Sequence, residues 1–227
     1  MAEALVVLSG GQDSTTCLYW AISEFGRENV ETVTFSYGQR HRIEIDCART
    51  VSEIAGAPNT VLPIDTFAAI GGNALTEGAI AVKSELDERT QLPNTFVPGR
   101  NLIFLTFAAA FGYSRGCHHL VTGVAQTDYS GYPDCRKHTI SALEHAIRLG
   151  MELEITIHSP LMFKTKRETV ELARELGAFP ALAFTHTCYN GQQPPCGQCS
   201  ACLIRAKGFA EAGIADPLVD RFAGTAQ

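Results

Sequence analysis

Two kinds of segment alternate along this chain, and the alternation restricts its fold more than any other feature. Short runs rich in Val, Ile and Leu occupy Ala4 to Leu8, Val30 to Phe35, Thr60 to Ile64, His119 to Val124 and Leu153 to Ile157. Stretches with apolar residues at helical spacing cover Ser14 to Phe25, Arg40 to Ala55, Asn101 to Ser114, Arg136 to Leu149 and Thr165 to Leu176. With right-handed crossovers, this βα alternation predicts an α/β fold: a five-stranded parallel sheet with helices on both faces. A length of 227 residues suits one large domain or a domain with a small appendage.

The connections are unequal. Those leading from helix into strand, such as "FGREN" and "AGAPN", are ordinary turns. Those leaving the strands, "SGGQDS", "SYGQRH", "GVAQTDYSGYPDCR" and "HSPLMFKTK", are dense in Gly, hydroxyls, Asp, Lys and Arg. Ligands of open α/β sheets bind beyond the carboxyl ends of the strands, so the polar chemistry gathers at one edge. The stretch from Gly71 to Pro98 has many turn formers and weak periodicity, and part of it is expected to be a mobile insertion.

The loop "LSGGQDSTTCL", Leu8 to Leu18, has the glycines and hydroxyls of a phosphate cradle, but Asp13 stands where a Walker loop places Lys. Gly10 and Gly11 permit a tight turn that aims backbone N–H groups and a helix start at one anion. Ser9, Ser14 and Thr15 add hydroxyls, and a carboxylate beside them suits a phosphate-bound Mg²⁺. A glycine turn capped by Asp or Ser is the blander account of two glycines alone. The missing cation has candidates in Lys164 and Lys166, just after the fifth strand, where positive charge is unfavourable for the helix that follows.

Charge and cysteine usage narrow the class. Lys plus Arg number 18 against 24 Asp plus Glu, a net charge of −6, so a small molecule is the expected partner and nucleic acid is not. Met1 to Val7 has no basic leader pattern, and Leu102 to Phe111 is too short for a bilayer, which reads as a cytoplasmic protein without a membrane partner. Of eight Cys, four (Cys17, Cys47, Cys117, Cys135) are scattered, while Cys188, Cys196, Cys199 and Cys202 are separated by seven, two and two residues. That cluster points to metal before disulfides, with four-sulfur Zn²⁺ the natural fit and an iron–sulfur cluster the other user of four Cys. Arg205 and Lys207 lie close enough in sequence to offset its negative charge, and His186 is nearby but redundant as a ligand.

"SGGQDS" resembles the PP-loop signature of the ATP pyrophosphatase superfamily, whose members cleave ATP between the α- and β-phosphates to adenylate a substrate oxygen. "SYGQRH", "FVPGRN", "DYSGYPDCR", "SPLM" and the tail "TCYNGQQPPCGQCSACLIRAKGF" further resemble the 7-cyano-7-deazaguanine synthases, the QueC family, over about Leu5 to Phe209. The resemblance implies a Rossmann-like fold of the adenine nucleotide alpha hydrolase type. It also implies an ATP-dependent ligase converting 7-carboxy-7-deazaguanine and ammonia into the nitrile preQ(0) in queuosine precursor biosynthesis, with AMP and pyrophosphate released. One structural zinc per chain on Cys188, Cys196, Cys199 and Cys202, ATP with Mg²⁺, and a homodimer go with it.

On that reading the nucleotide meets Leu8, Ser9, Gly10, Gly11, Gln12, Asp13, Ser14, Thr15, Thr16, Cys17, Leu18, Arg40 and His41. Asp13, Lys164, Lys166 and Arg100 are the catalytic candidates. Asp128, Tyr129, Tyr132, Asp134 and Arg136 are the candidates for the deazaguanine acid, the carboxylates for its ring donors and the tyrosines for stacking. For any one of them a salt bridge or helix cap is the plain alternative. Cys135 reads as a packing thiol before a nucleophile. The chain divides into a nucleotide-binding domain over 1–184, with the insertion at 71–98, and a metal-binding segment over 185–227 packed on the same domain. Rival readings are another PP-loop enzyme, such as an amide-forming relative or a tRNA thiolase, and a nucleotide-binding module without turnover.

Overall fold

Strand β1 (Ala4–Val7) lies at the centre of a sheet completed by β2 (Val30–Ser36), β3 (Asn59–Pro63), β4 (His119–Val121) and β5 (Thr156–His158). All pairs are parallel, in the order β3-β2-β1-β4-β5. The computed structural model describes residues 2–39, 42–76, 80, 86–127 and 131–223. Successive β1 side chains point to opposite faces: Leu5 joins one apolar cluster, and Ala4 and Val6 join the other. The second cluster takes Cys17, Leu18 and Ala21 of α1 (Gln12–Phe25) with Ala48, Val51 and Ala55 of α2 (Ile43–Ala55). On the opposite face lie Phe67 of α3 (Thr66–Ile70), Leu105, Ala108 and Ala109 of α4 (Arg100–Tyr113), and Ile140 and Ile147 of α5 (Lys137–Met151). The expected sheet covered on both faces is therefore what the chain forms.

Element ends depart from the sequence reading for local reasons. The fourth strand ends at Val121 instead of running to Val124, because the chain leaves the sheet past the start of α1. At Gly123 a Cβ would lie 3.0 Å from the Ser14 nitrogen and 3.1 Å from the Asp13 carbonyl carbon. The fifth strand starts at Thr156 because the preceding residues close α5: Glu152 takes a left-handed conformation (φ 47°) and the Leu153 N–H donates to the Arg148 carbonyl at 3.3 Å.

Beyond the sheet, α6 (Lys166–Glu175) is followed by α7 (Phe179–Leu182), α8 (Ser200–Ala212) and α9 (Pro217–Ala223). A capping box starts α6, with Thr165 and Glu168 exchanging side-chain and backbone bonds. Val170 and Ala173 of α6, Ala178, Leu182 and Phe209 of α8 form a third cluster. Gly208 lets α8 approach the start of α6 closely: a Cβ there would lie 2.9 Å from the Lys166 Cβ. Among the described residues no helix is long and apolar enough to cross a membrane.

Candidate active site and metal centre

The strand order reverses between β1 and β4, and the loop leaving β1 sits at that switch point. Gly10 has φ +81°, and a Cβ on it would fall 2.3 Å from the Glu44 carbonyl oxygen and 2.8 Å from the Ala48 nitrogen. Only glycine lets the loop lie against the first turns of α2. Gly11, extended, precedes α1 without a side-chain cap. The hydroxyls of Ser14 and Thr15 donate back to the Gly11 carbonyl at 3.1 and 2.9 Å, and the Ser14 Oγ accepts the Ser9 N–H at 3.2 Å. No side chain caps the first turn of α1, and Gly123 packs against its Ser14 nitrogen.

Two cavities open on this loop. One, of about 280 Å³, runs along the ends of β1, β2 and β4 and is walled by Phe35, Tyr37, Phe104, Arg100, Tyr132 and Cys135, among others. The other, of about 200 Å³, lies between the loop, Lys166, and the segment carrying His186, Tyr189 and Arg205. They share Ser9, Asp13, Ser14, Glu44 and Tyr189. The cation missing from the loop arrives from α6: Lys166 Nζ lies 2.7 Å from Asp13 Oδ2, across 153 residues of chain. Gln12 lines the second cavity with its side-chain Nε2 buried and unpartnered, a donor poised for an acceptor.

The structure gathers only part of the expected set at these cavities. Leu8, Ser9, Asp13, Ser14, Arg100 and Tyr132 line the first, and Gly11, Gln12 and Lys166 the second. Thr15, Thr16, Cys17 and Leu18 turn into the protein and line neither, with Thr16 donating to the Gln12 carbonyl at 3.0 Å. Asp134 is buried at the start of α4, its Oδ2 accepting the Asn101 N–H at 3.0 Å; it lines neither cavity. Arg136 is exposed, and Lys164 lines neither cavity. Arg40, His41, Asp128 and Tyr129 lie outside the described residues, as do 77–79 and 81–85 of the expected mobile insertion. Two of its described residues reach the site: Leu75 lines the first cavity, and Thr95 bonds the Tyr132 hydroxyl at 2.6 Å.

The four clustered cysteines do converge. The Sγ atoms of Cys188, Cys196, Cys199 and Cys202 all lie within 4.8 Å of one another, and those of Cys196 and Cys202 are 3.9 Å apart. Zn–S bonds near 2.3 Å place tetrahedral sulfurs roughly 3.8 Å apart, so this donor set fits such an ion. Backbone N–H groups of Gln198 and Cys199 hold the Cys196 thiol down at about 6, favouring thiolate. The expected charge partners are engaged elsewhere. Arg205 grips Asp216 through two bonds, at 2.6 and 2.8 Å, and donates to Thr185 and Thr187, while Lys207 faces Glu211 at 3.7 Å. Burial pushes the Cys199 and Cys202 thiols the other way, up from their ordinary range. His186 is no ligand: its Nε2 bonds the Cys188 carbonyl at 2.8 Å, and its N–H donates to the Gly10 carbonyl at 2.8 Å.

A family model described as "Queuosine biosynthesis protein QueC" matches residues 3–213. The chain belongs to the QueC family. A 7-cyano-7-deazaguanine synthase of Chromobacterium violaceum is 66% identical over 225 residues, covering 99% of this chain and 96% of that one. Those of Laribacter hongkongensis (65% identical, 98% and 96% covered) and Bacillus subtilis (48% identical, 92% and 94% covered) follow. Among solved structures, a predicted subunit of tRNA methyltransferase from Methanocaldococcus jannaschii gives a TM-score of 0.49 at 16% identity, over 77% of this chain and 75% of that one.

In this QueC chain the sequence reading missed Glu44, Phe104 and Tyr189. Glu44 is half-buried on the wall of both cavities, and burial pushes its carboxyl up to about 7, with Arg100 pulling it back. Phe104 stacks on Phe35 with ring centroids 4.6 Å apart. Its periodicity marked it only as a helix residue. Glu44 carried no signal beyond a charge near a helix start, and Tyr189 stood inside a string read for its cysteines.

Proposed function

We propose that this QueC chain is a 7-cyano-7-deazaguanine synthase, converting 7-carboxy-7-deazaguanine, ammonia and ATP to the nitrile through an adenylated acid and an adenylated amide. The chemistry needs it: both stages must expel an oxygen that leaves poorly, and adenylation turns that oxygen into part of a phosphate leaving group. The observation that carries the reading is the junction of two cavities at Ser9, Asp13 and Ser14. The larger, with aromatic walls, suits flat heterocycles, and the smaller, with Gly11, Gln12 and Lys166, suits the departing pyrophosphate. The names of the relatives supply the product.

On this reading Lys166 neutralises charge on the outer phosphates, and its pairing with Asp13 holds it in place meanwhile. The Asp13 carboxylate would hold a magnesium ion bound to the phosphates of ATP, which would supply charge neutralisation there. Arg100, half-buried beside the Tyr37 hydroxyl at 3.5 Å, pairs with a carboxylate or phosphate, and Tyr132 stacks on the acid. Asp134 fixes the start of α4, and so Arg100, instead of touching the ring. Cys188, Cys196, Cys199 and Cys202 would hold a zinc ion, which would serve structure and not turnover. Residues 1–184 form the nucleotide unit, with 185–227 as its metal-bound buttress. The partners are small molecules, not nucleic acid, and the working form is a cytoplasmic homodimer.

The test is an end-point mass spectrum with all reactants. AMP and pyrophosphate should accumulate over many turnovers only when the deazaguanine acid and ammonium are both present, together with the nitrile. ADP and orthophosphate, or an end point at the amide, would overturn the reading.

A further inference from the structure

Glu44 has no role in the chemistry just described, yet it stands where the two cavities meet. Only two carboxylates, Asp13 and Glu44, appear on the described walls of those cavities. Asp13 is paired with Lys166 at 2.7 Å and, once Lys166 turns to the phosphates, is assigned to the metal that accompanies ATP. No ion pair to Glu44 occurs among the described residues. Its place is fixed, because the carbonyl of the same residue abuts Gly10 and ties the first turn of α2 to the phosphate loop. The groups around it are Arg100 from α4, Tyr37 after β2, Asp13 and Lys166 across the loop, and His186 and Tyr189 from the C-terminal segment.

Resting on the proposed function, the demand is plain from atom balance. Ammonia carries three hydrogens and a nitrile nitrogen none, so three protons must leave nitrogen. In the first round the ammonia lone pair forms the C–N bond, the C–O bond to the adenylate breaks with its electron pair on AMP, and one N–H proton departs. In the second, the amide oxygen attacks the α-phosphorus of another ATP, pyrophosphate leaves, and a second N–H proton is lost. The C–O bond then breaks with its pair on AMP as the third is lost and C≡N forms.

We propose that Glu44 is the proton acceptor for this nitrogen, positioned between the heterocycle cavity and the phosphate cavity, and that it passes each proton to solvent through the cavity mouth. A carboxyl held at about 7 by burial is suited to taking and returning protons near neutrality. The other groups lining both cavities are hydroxyls or the paired Asp13, which leaves Glu44 as the acceptor.

The test compares E44Q with the unaltered chain in two assays. The first is acid-dependent exchange of pyrophosphate into ATP without ammonium; the second is amide formation at constant free ammonia, across a pH range spanning neutrality. The ratio of amide formation to exchange should fall about 10²-fold or more in E44Q. The rise of amide formation through about pH 7 should vanish. An unchanged ratio, or a raised KM for acid or ATP with the rising limb intact, overturns the proposal. Should E44Q lose exchange as well, E44D decides: a displaced limb supports the acceptor role, and an unmoved one overturns it. Absence of exchange in the unaltered chain would remove the proposed function itself, and this inference with it, an outcome distinct from the others.

Discussion

A methyl group at Gly10 would meet two backbone atoms of α2 that cannot step aside, at a φ of +81° that side chains rarely adopt. Gly10→Ala should therefore lower unfolding free energy by about 3 kcal/mol or more, measured by denaturant titration, and weaken nucleotide binding with it. The turn itself was legible in "SGGQDS"; the reason for it was not, because the contact joins residue 10 to residues 44 and 48. Glu44 was illegible for a similar reason, since a carboxylate near a helix start looks the same in sequence whether it meets water or a cavity. Its carboxyl, raised by burial to about 7, gives a pH signature in stability. Below the ordinary carboxyl range both folded and unfolded chains hold the proton; as pH rises toward 7 only the folded chain still does, so stability falls through that window. E44Q should lack this fall, gaining about 1–2 kcal/mol on the unaltered chain above neutrality, allowing for partial solvent screening, and nothing below pH ~4. Paired unfolding curves at acidic and alkaline pH check it.

At the scale of elements, the five strands and the five helices between and after them were readable because apolar spacing reports burial directly. Helix α8 was not read, and its inward residues explain why: Ala201, Cys202, Arg205, Gly208 and Phe209 make a buried face without a regular apolar stripe. Packing against α6 uses what is absent at Gly208, and metal binding and an ion pair occupy other inward positions. The Gly208→Ala variant would press on the Lys166 Cβ at 2.9 Å and its carbonyl at 3.2 Å. It should cost about 1–3 kcal/mol in thermal or denaturant unfolding and should displace Lys166, lowering kcat for AMP release more than it lowers stability would suggest. An Ala variant with wild-type kcat would show that α8 does not set the lysine's position.

Across the whole molecule, the thiolate centre and the phosphate loop are joined by one short path, from Cys188 through His186 to Gly10. Structural zinc in small peptides is worth on the order of 10 kcal/mol, so stripping the metal under reducing conditions should unravel the cysteine segment. The expected result is a lowered melting temperature and loss of ATP binding, both restored by added Zn²⁺. Retained nucleotide affinity after complete metal loss would show that the path carries no coupling. The cluster's existence was plain from spacing, but its reach to the loop was not, since a backbone N–H leaves no trace in residue identity. The carbonyl of Gly10 and the His186 N–H that it accepts are far apart along the chain. Synthesis sets residue 10 down long before the N–H that its carbonyl accepts, so the phosphate loop gains that bond only after the segment carrying His186 has been added and folded.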